Sequence, residues 1–424
     1  MAQTLKFGNK VWAAKEDSVL AYNDINNNYK PLPFTFSRAS IGTRVNKDGL
    51  IETMGQDIAR IDYTDSADGV LLLEPSRTNS LVQSNQFDTT WTLSNTSVVG
   101  NQTGVGGSAN AWKLTANSGS GEKKIFVSAS SGTQSLSVYA KKGTRDYLYL
   151  RGVTGNFNKR VFFNLSNGII GTNEAVSAEI FNMGNGWYRC NAVFNQDGGY
   201  EFQIGIAEND NTATYTDDGT GNIYIQYAQA EVGSYPTSYI PTSGSTVTRA
   251  AETCNNSGNS EVFNDSEGVL FVDVSALADD NTARYLSISD GSFTNRVSIF
   301  FSNVSNQIGG RIVVGGSSIF LTATGQTQTN YNKIALKWKV NDYELYINGF
   351  GVAASVLGST FPESTLSEIS FNDGGTGVAY MYAKTKELGC YDTALTDAEL
   401  ETLTSYRNWV SMVNELNLNI IYNG

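Results

Sequence analysis

The sequence predicts an all-β protein: two tandem jelly-roll or β-sandwich domains behind an extended N-terminal segment, with one short C-terminal helix. Three observations predict this. Short alternating or apolar runs, separated by turn signals, recur from residue 87 to 239 and again from 262. Their spacing of roughly ten to twenty residues is that of sandwich strands. Charged residues make up only 17% of the chain, and Gly, Asn, Ser and Thr fill the surface, which suits strands joined by turns. Clear helical spacing occurs in one place, close to the C-terminus.

In chain order, Leu5, Phe7, Val11, Trp12 and Val19 mark one or two strands ahead of a polar loop that ends in Pro31 and Pro33. Asp48-Gly49 in "TRVNKDGLIE" is a hairpin turn between two strand-like runs. Residues 1–85 are read as an N-terminal segment, with Trp12 and Phe34 as apolar anchors to a larger particle, or as an edge strand of the first sandwich. Residues 86–252 form the first sandwich. "SLSVYAKKG" runs from Ser135, "YLYLRGV" from Tyr147, "RVFFNL" from Arg160, "YEFQIGIAE" from Tyr200 and "NIYIQYAQAEV" from Asn222. Residues 253–424 form the second, from "GVLFVDVSAL" through "NKIALKWKV" and "YELYINGFGVA". At 424 residues the chain is long for one core, which agrees with two or three domains. Thr396-Asp397-Ala398-Glu399 is a capping box, and Leu400, Leu403, Tyr406 and Val410 continue it as one helix. The tail "NELNLNIIYNG" reads as a last strand or a disordered end.

Composition excludes several functions. A formal net charge of −12 repels phosphates, and no Lys/Arg-rich run offsets it, so no nucleic-acid partner is expected. There is no histidine, which removes Ser-His and Cys-His nucleophiles, histidine metal ligands and histidine acid–base chemistry. Cys190, Cys254 and Cys390 are too few and too scattered for a disulfide framework or a zinc site, and read as reduced, buried thiols. The N-terminus has no long apolar core and no window approaches a membrane span, so the expectation is a chain made and folded in a cytoplasm, with no membrane insertion.

Candidate chemistry is sparse. No strand carries the closely spaced carboxylates of a glycan-cleaving sandwich, so no catalytic residue is assigned. In "AENDNTATYTDDGTGN", Asp210, Asp217 and Asp218 are hard oxygen ligands near glycines, but their spacing fits a solvated acidic loop better than a cation site. "SFNDGGTGVA" receives the same reading, and no metal or cofactor is assigned. Sugar binding asks for an exposed aromatic platform edged by polar groups. Trp91, Trp112, Tyr147 and Tyr149 are the candidates, while Trp187 and Trp338 sit in strands with core-like neighbours and read as packing residues.

One phrase occurs twice, each time after prolines: "TFSRAS" from Thr35 and "TVTRAA" from Thr246. Three stretches taken together, "FTFSRASIGTRVNKDGLIE" with "LLLEPSRTNSLVQSNQFDTTW", "GNGWYRCNAVF" and "QAEVGSYPTSYIPTSGSTVTRAAE", resemble a module of bacteriophage head-fibre and tail-fibre proteins with a carbohydrate-binding-like jelly roll. "KIALKWKVNDYELYINGFGVA" and "LGCYDTALTDAELETLTSY" resemble a laminin-G or concanavalin-like sandwich. The resemblance implies a virion fibre or decoration protein, assembled in the host cytoplasm, that presents glycan-binding domains for host or surface adhesion. Its implied partners are further copies of itself, most often as a trimer, capsid or tail proteins, and cell-surface glycans. It also makes Arg38, Glu74, Arg77 and Arg249 structural ties at domain junctions. The alternatives are a tail-associated glycan hydrolase or lyase, a purely structural capsid decoration protein, and a secreted adhesin.

Overall fold

The computed structural model describes residues 3–8, 11–20, 22–23, 30–129, 131–154, 157–195, 200–375, 379–406 and 408–415. It is all-β apart from two short helices near the end. The tail beyond 415 and part of the loop ahead of Pro31 lie outside the described residues.

The chain forms two units whose boundaries differ from the expected ones. The internal unit takes Gly42–Thr53 and Ser76–Ala250; the terminal unit takes Met1–Ile41, Met54–Pro75 and Ala251–Gly424. Of the N-terminal 85 residues, Met1–Ile41 and Met54–Pro75 therefore belong with the terminal unit, while 42–53 and 76–85 belong with the internal one. Leu5–Gly8 pairs antiparallel with Ala383–Tyr391, with Phe7 opposite Leu388. Leu5 and Phe7 are buried in the terminal core, as the alternation of apolar and polar residues in "LKFG" requires. The two proposed anchors are used there too. Phe34 is fully buried, with its ring 4.7 Å from that of Phe7, and Trp12 packs at 5.9 Å from Phe7 and donates to the Gly69 carbonyl. Phe34 is thereby part of this core, and Trp12 packs half-buried against it.

In the internal unit a six-stranded sheet runs in the order Thr96–Gln102, Ala111–Ala116, Asn222–Val232, Gln134–Lys142, Trp187–Phe194, Ser177–Asn182. A seven-stranded sheet runs Thr92–Ser94, Gly119–Ala129, Tyr200–Ala207, Tyr147–Thr154, Phe157–Asn164, Ile169–Asn173, with Thr214–Asp217 also on Gly119–Ala129. Leu136, Val138, Ile223 and Ile225 from one sheet share a core with Leu148, Leu150, Phe163 and Ile204 from the other. In the terminal unit a ten-stranded sheet centres on Glu267–Ala276 and Ala383–Tyr391. A five-stranded sheet runs Ser317–Thr324, Gln307–Val314, Arg296–Phe301, Arg284–Ser289, Glu368–Ser370.

Local chemistry explains the turns and caps. The Asp48-Gly49 hairpin forms between Gly42–Val45 and Ile51–Met54. Gly49 sits at φ +77°, and the Asn46 side chain accepts the N–H groups of Asp48 and Leu50. Most non-glycine residues in left-handed backbone are asparagines, among them Asn95, Asn185, Asn306 and Asn341. The Glu399 carboxylate accepts the Thr396 N–H at 2.9 Å, as the capping box predicts. The single expected helix is two: α1 (Asp397–Thr404) and α2 (Trp409–Glu415). At the break, the Thr404 hydroxyl donates back to the Leu400 carbonyl and the Ser405 hydroxyl to Glu401, while Ser405 turns extended. Ser and Thr compete with the helix in this way. Cys190, Cys254 and Cys390 are free and buried, and Trp187 and Trp338 are core residues.

The two Arg-Ala phrases end in different units. Arg249, in Val247–Arg249, pairs opposite Arg77 within the internal unit and donates to the hydroxyls of Thr237 and Ser238 at 3.1 Å. The Arg77 guanidinium lies 5.1 Å from the centre of the Tyr235 ring. Arg38 belongs to the terminal unit and is fully buried beside Arg60, Glu74 and Glu252. One oxygen of Glu252 accepts from Arg38 at 2.7 Å and from Arg60 Nε at 2.8 Å. The other accepts from Arg60 Nη2 and from the Glu74 N–H, the latter at 2.8 Å. Arg60 also meets the Glu74 carboxylate at 2.8 Å, and Arg38 donates to the carbonyls of Ser40, Gly55 and Ile58. Burial pulls the Arg60 guanidinium down, but the charges of Glu252 and Glu74 outweigh this and hold it above its ordinary value.

Removing one member of such a network strands a buried charge, which costs roughly 3–5 kcal/mol. Glu252→Ala is expected to lose that much unfolding free energy in a urea titration. Glu52→Ala, which breaks the surface pair with Arg44, should cost about 0–1 kcal/mol. Equal losses for the two variants would show that the network does not hold the terminal unit together.

Candidate functional site

Strand alternation sends Ile125, Leu148, Leu150, Val161 and Ile204 of the seven-stranded sheet into the internal core. The residues between them face the other way. Register then aligns Phe126, Gln203, Arg151 and Arg160 in one row across four strands. The row on one side is Lys124, Gly205, Tyr149 and Phe162; the row on the other is Ser128, Glu201, Val153 and Asn158. Gly205 has a packing reason: a Cβ there would lie 2.1 Å from Cζ of Tyr149, so only glycine lets that ring lie across the sheet.

Donors and acceptors alternate over this face. Glu122 is its hub, with Lys124 at 2.8 Å, Arg151 at 3.1 Å and Arg160 also on its carboxylate. Arg151 donates further to Asn158 at 2.6 Å and to Gln203 at 3.2 Å, and Gln203 donates to Glu201 at 2.7 Å. The Arg160 guanidinium lies 5.6 Å from the centre of the Tyr149 ring. Arg160 Nε and the Tyr149 hydroxyl have no hydrogen-bond partner among the described residues. Burial pushes the Glu122 carboxyl up, but the Lys124 hydrogen bond and the charges of Arg151, Lys124 and Arg160 hold it below its ordinary value. Burial, with Glu122 adding to it, pushes the Tyr149 hydroxyl up.

The acidic loop takes three separate roles. Asp210 accepts the N–H and hydroxyl of Thr172 at 2.8 and 3.1 Å. Asp217 is buried, pairs with Arg145 at 2.6 Å and accepts the N–H groups of Gly219 and Gly221. Asp218 closes a turn onto Thr220. Burial raises the Asp217 carboxyl, but Arg145 and the two N–H groups hold it below the usual range. Among the described residues no group of three or more acidic or cysteine side chains is placed to hold a metal ion.

Two of the four aromatic candidates lie on this face and two do not. Trp91 is buried in the internal core and donates to the Gln83 carbonyl at 3.0 Å; Trp112 packs against the same core and donates to Asn85 at 2.9 Å. Both are corrected to packing residues, since each ring fills space between the sheets. Tyr149 lies on the outward face, but Phe162, Ala207 and Ala213 cover it completely, so it too is no open platform. Tyr147 is half-buried beside that cluster. Sequence reasoning missed Glu122, Arg151, Arg160 and Gln203. The signal was the alternation itself, because "YLYLR" puts both tyrosines and Arg151 on one face.

No family model and no curated protein matches the chain. Among solved structures it is similar to the Ruminococcus gnavus IT-sialidase CBM40, at 16% identity and TM-score 0.30, covering 36% of this chain and 94% of that one. It is similar to domains LG4-5 of the mouse laminin alpha1 chain, at 8% identity and TM-score 0.25, covering 80% and 93%. It is also similar to Trypanosoma rangeli sialidase, at 10% identity and TM-score 0.28, covering 91% and 81%. Likenesses this distant assign neither a family nor an activity. The chain itself defines the class: an all-β protein of two sandwich-containing units, one of them with a hydrogen-bonding outward sheet face.

Glu122 and Asp217 are held below the values of about 4.3 and 3.9 that Glu and Asp show in an unfolded chain. Their stabilisation is complete above those values and is lost as pH falls through the lower folded-state values. Urea unfolding of the Glu122→Gln, Asp217→Asn double variant is therefore expected to change less with pH below about pH 4 than that of the wild type. Superimposable acid limbs would rule out both depressions.

Proposed function

We propose that the protein is a non-enzymatic glycan-binding adhesion protein that contacts sugar through the outward face of the seven-stranded sheet. The observation that carries this reading is the row Phe126, Gln203, Arg151 and Arg160, with Glu122, Glu201 and Asn158 around it. Sugar hydroxyls both donate and accept, and a plane of interleaved carboxylates, amides and guanidiniums matches vicinal hydroxyls. The Phe126 ring, half-buried in that row, supplies an apolar contact for the C–H face of a sugar. The hub Glu122 is kept ionised by three cations. A glycoside hydrolase needs one carboxyl raised so that it holds a proton at working pH. This face therefore supports binding rather than cleavage.

The setting we propose is a bacteriophage head or tail fibre, or a capsid decoration protein, built as a homo-oligomer with trimer the favoured state. This rests on the three fibre-like phrases of the sequence. Each copy then adds a weak sugar contact, and many copies on one particle raise effective affinity without any new contact.

The whole chain on a glycan array should retain at least one glycan. Arg151→Gln should weaken that glycan by about tenfold or more, the scale of a lost charge-assisted hydrogen bond. Because Arg151 is buried on Glu122 the variant should also lose stability, so affinity is compared at a temperature where both proteins are folded. A blank array, or an unaltered affinity in the variant, rejects this face as the site. Shortening of the retained glycan during incubation would favour the hydrolase or lyase alternative. Gold-labelled antibody on intact particles tests the virion setting: label on neither head nor tail fibres defeats it.

A further inference from the structure

A second outward sheet face, in the terminal unit, has the opposite electrostatic design. Leu286, Ile288, Val297, Ile299, Ile312 and Leu321 of the five-stranded sheet point into the core. Between them, register sets Ser287, Ser298, Arg311 and Phe320 in one row on the opposite side, and Ser289, Arg296, Val313 and Ser318 in the next. Ser287 and Arg296 donate to the Asn372 and Asp373 carbonyls. Ser287, Arg296, Ser289, Ser298 and Val313 are buried, so the open part lies at Arg311, Ser318 and Phe320. Arg296 and Arg311 are thus diagonal neighbours on adjacent strands.

Each guanidinium rests on an aromatic ring, Arg296 at 5.1 Å from the centre of Phe293 and Arg311 at 4.5 Å from that of Phe320. The rings remain in reach of solvent, Phe293 being 39% and Phe320 55% exposed. Arg296 itself is 5% exposed and donates Nη1 to the Asp373 carbonyl; Arg311 donates Nη2 to the Ser318 hydroxyl at 2.9 Å. Nε of both arginines and Oδ1 of the buried Asp373 have no hydrogen-bond partner among the described residues. The acidic side chains near this face are Asp373, Glu368 and Asp290, and among the described residues none forms an ion pair with either guanidinium. Burial, followed by the Arg311 charge, pulls the Arg296 guanidinium below its ordinary value, and the nearby Asp373 charge offsets this only in part.

We propose that Arg296 and Arg311 take the carboxylate of an acidic sugar, with Phe320 against the ring and the free Asp373 oxygen accepting one of its hydroxyls. Two stacked, pre-oriented guanidiniums with unused donors are built for a planar anion. This goes beyond the reading of the internal face, rests on different residues in a different unit, and stands or falls without it.

Calorimetric titration of the whole chain with oligogalacturonate and with its methyl ester tests the idea. The acid is expected to bind. The ester, identical in ring but uncharged, should bind about tenfold or more weakly, and Arg311→Gln should weaken the acid by a similar factor. Glu52→Ala, at a surface ion pair on neither face, should leave this binding unchanged. Equal affinity for acid and ester overturns the proposal. So does an unaltered affinity in a normally folded Arg311→Gln protein. Binding of chondroitin sulfate without oligogalacturonate would reassign the pair to sulfate esters and overturn the carboxylate assignment.

Discussion

The carboxylate of Glu252 is the point on which the terminal unit turns. It receives donors from Arg38, from both ends of the Arg60 fork and from the Glu74 backbone, all away from water. Four donors on two oxygens satisfy the group, which is the condition for a charge to be buried without large cost. The donors come from two stretches, Met1–Ile41 and Met54–Pro75, and the acceptor from a third, with residues of the other unit between them, because the chain changes unit after Ile41, Thr53, Pro75 and Ala250. The network therefore requires several non-local segments to be in register at once. That also explains the repeated phrase. The first copy supplies Arg38 to the network. The second supplies Arg249 to the internal unit, and three residues later Glu252 to the terminal one. "TRAAE" is where the chain changes allegiance, and its charges are divided accordingly.

Both sandwiches obey the same constraint. Period-two alternation commits one side of each strand to the core and leaves the other free for chemistry. With few charges in the chain, the places where cations gather on an outward face are informative. On the internal face Lys124, Arg151 and Arg160 converge on Glu122, so each cation is in contact with a carboxylate. On the terminal face Arg296 and Arg311 rest on phenylalanines instead, with no carboxylate in ion-pair contact among the described residues. The first arrangement suits ligands that exchange hydroxyl hydrogen bonds. The second suits ligands that bring their own negative charge.

What was legible in the sequence was local. Strands declared themselves by alternation, the Asp48-Gly49 turn by its left-handed glycine, the α1 cap by Glu399, and the buried thiols by their isolation. What was not legible was pairing at long range. Nothing in "LKFG" says that its partner is Ala383–Tyr391, so the N-terminal strands were given to the wrong place. Nothing in a lone Trp or Tyr says whether another segment covers it. Trp91 is closed in by Phe87 and Phe202, and Tyr149 by Phe162 and Ala213. The helix broke where Thr404 and Ser405 turned their hydroxyls onto carbonyls of the preceding turn, a competition that hydrophobic spacing alone does not register. The polar face could have been found by asking which polar residues share parity with Tyr147 and Tyr149, rather than which aromatics stand in polar surroundings.

Two sheet faces of opposite character on one chain also bear on how recognition would work. A single sheet face is shallow and holds a sugar by few contacts, so each site alone is weak. On the readings proposed above, an ion-paired face that meets hydroxyls and a face of stacked guanidiniums that meets carboxylates would respond to different residues of a polymer. A heteropolymer that carries both neutral and acidic sugars would present a ligand to each face. The salt response separates the two contributions. The exposed part of the cationic contact is screened as ionic strength rises, whereas hydroxyl hydrogen bonds are largely indifferent to it. Discrimination then lies in the sequence of the polymer rather than in tight binding of one sugar, and this follows from the charge layout of the faces.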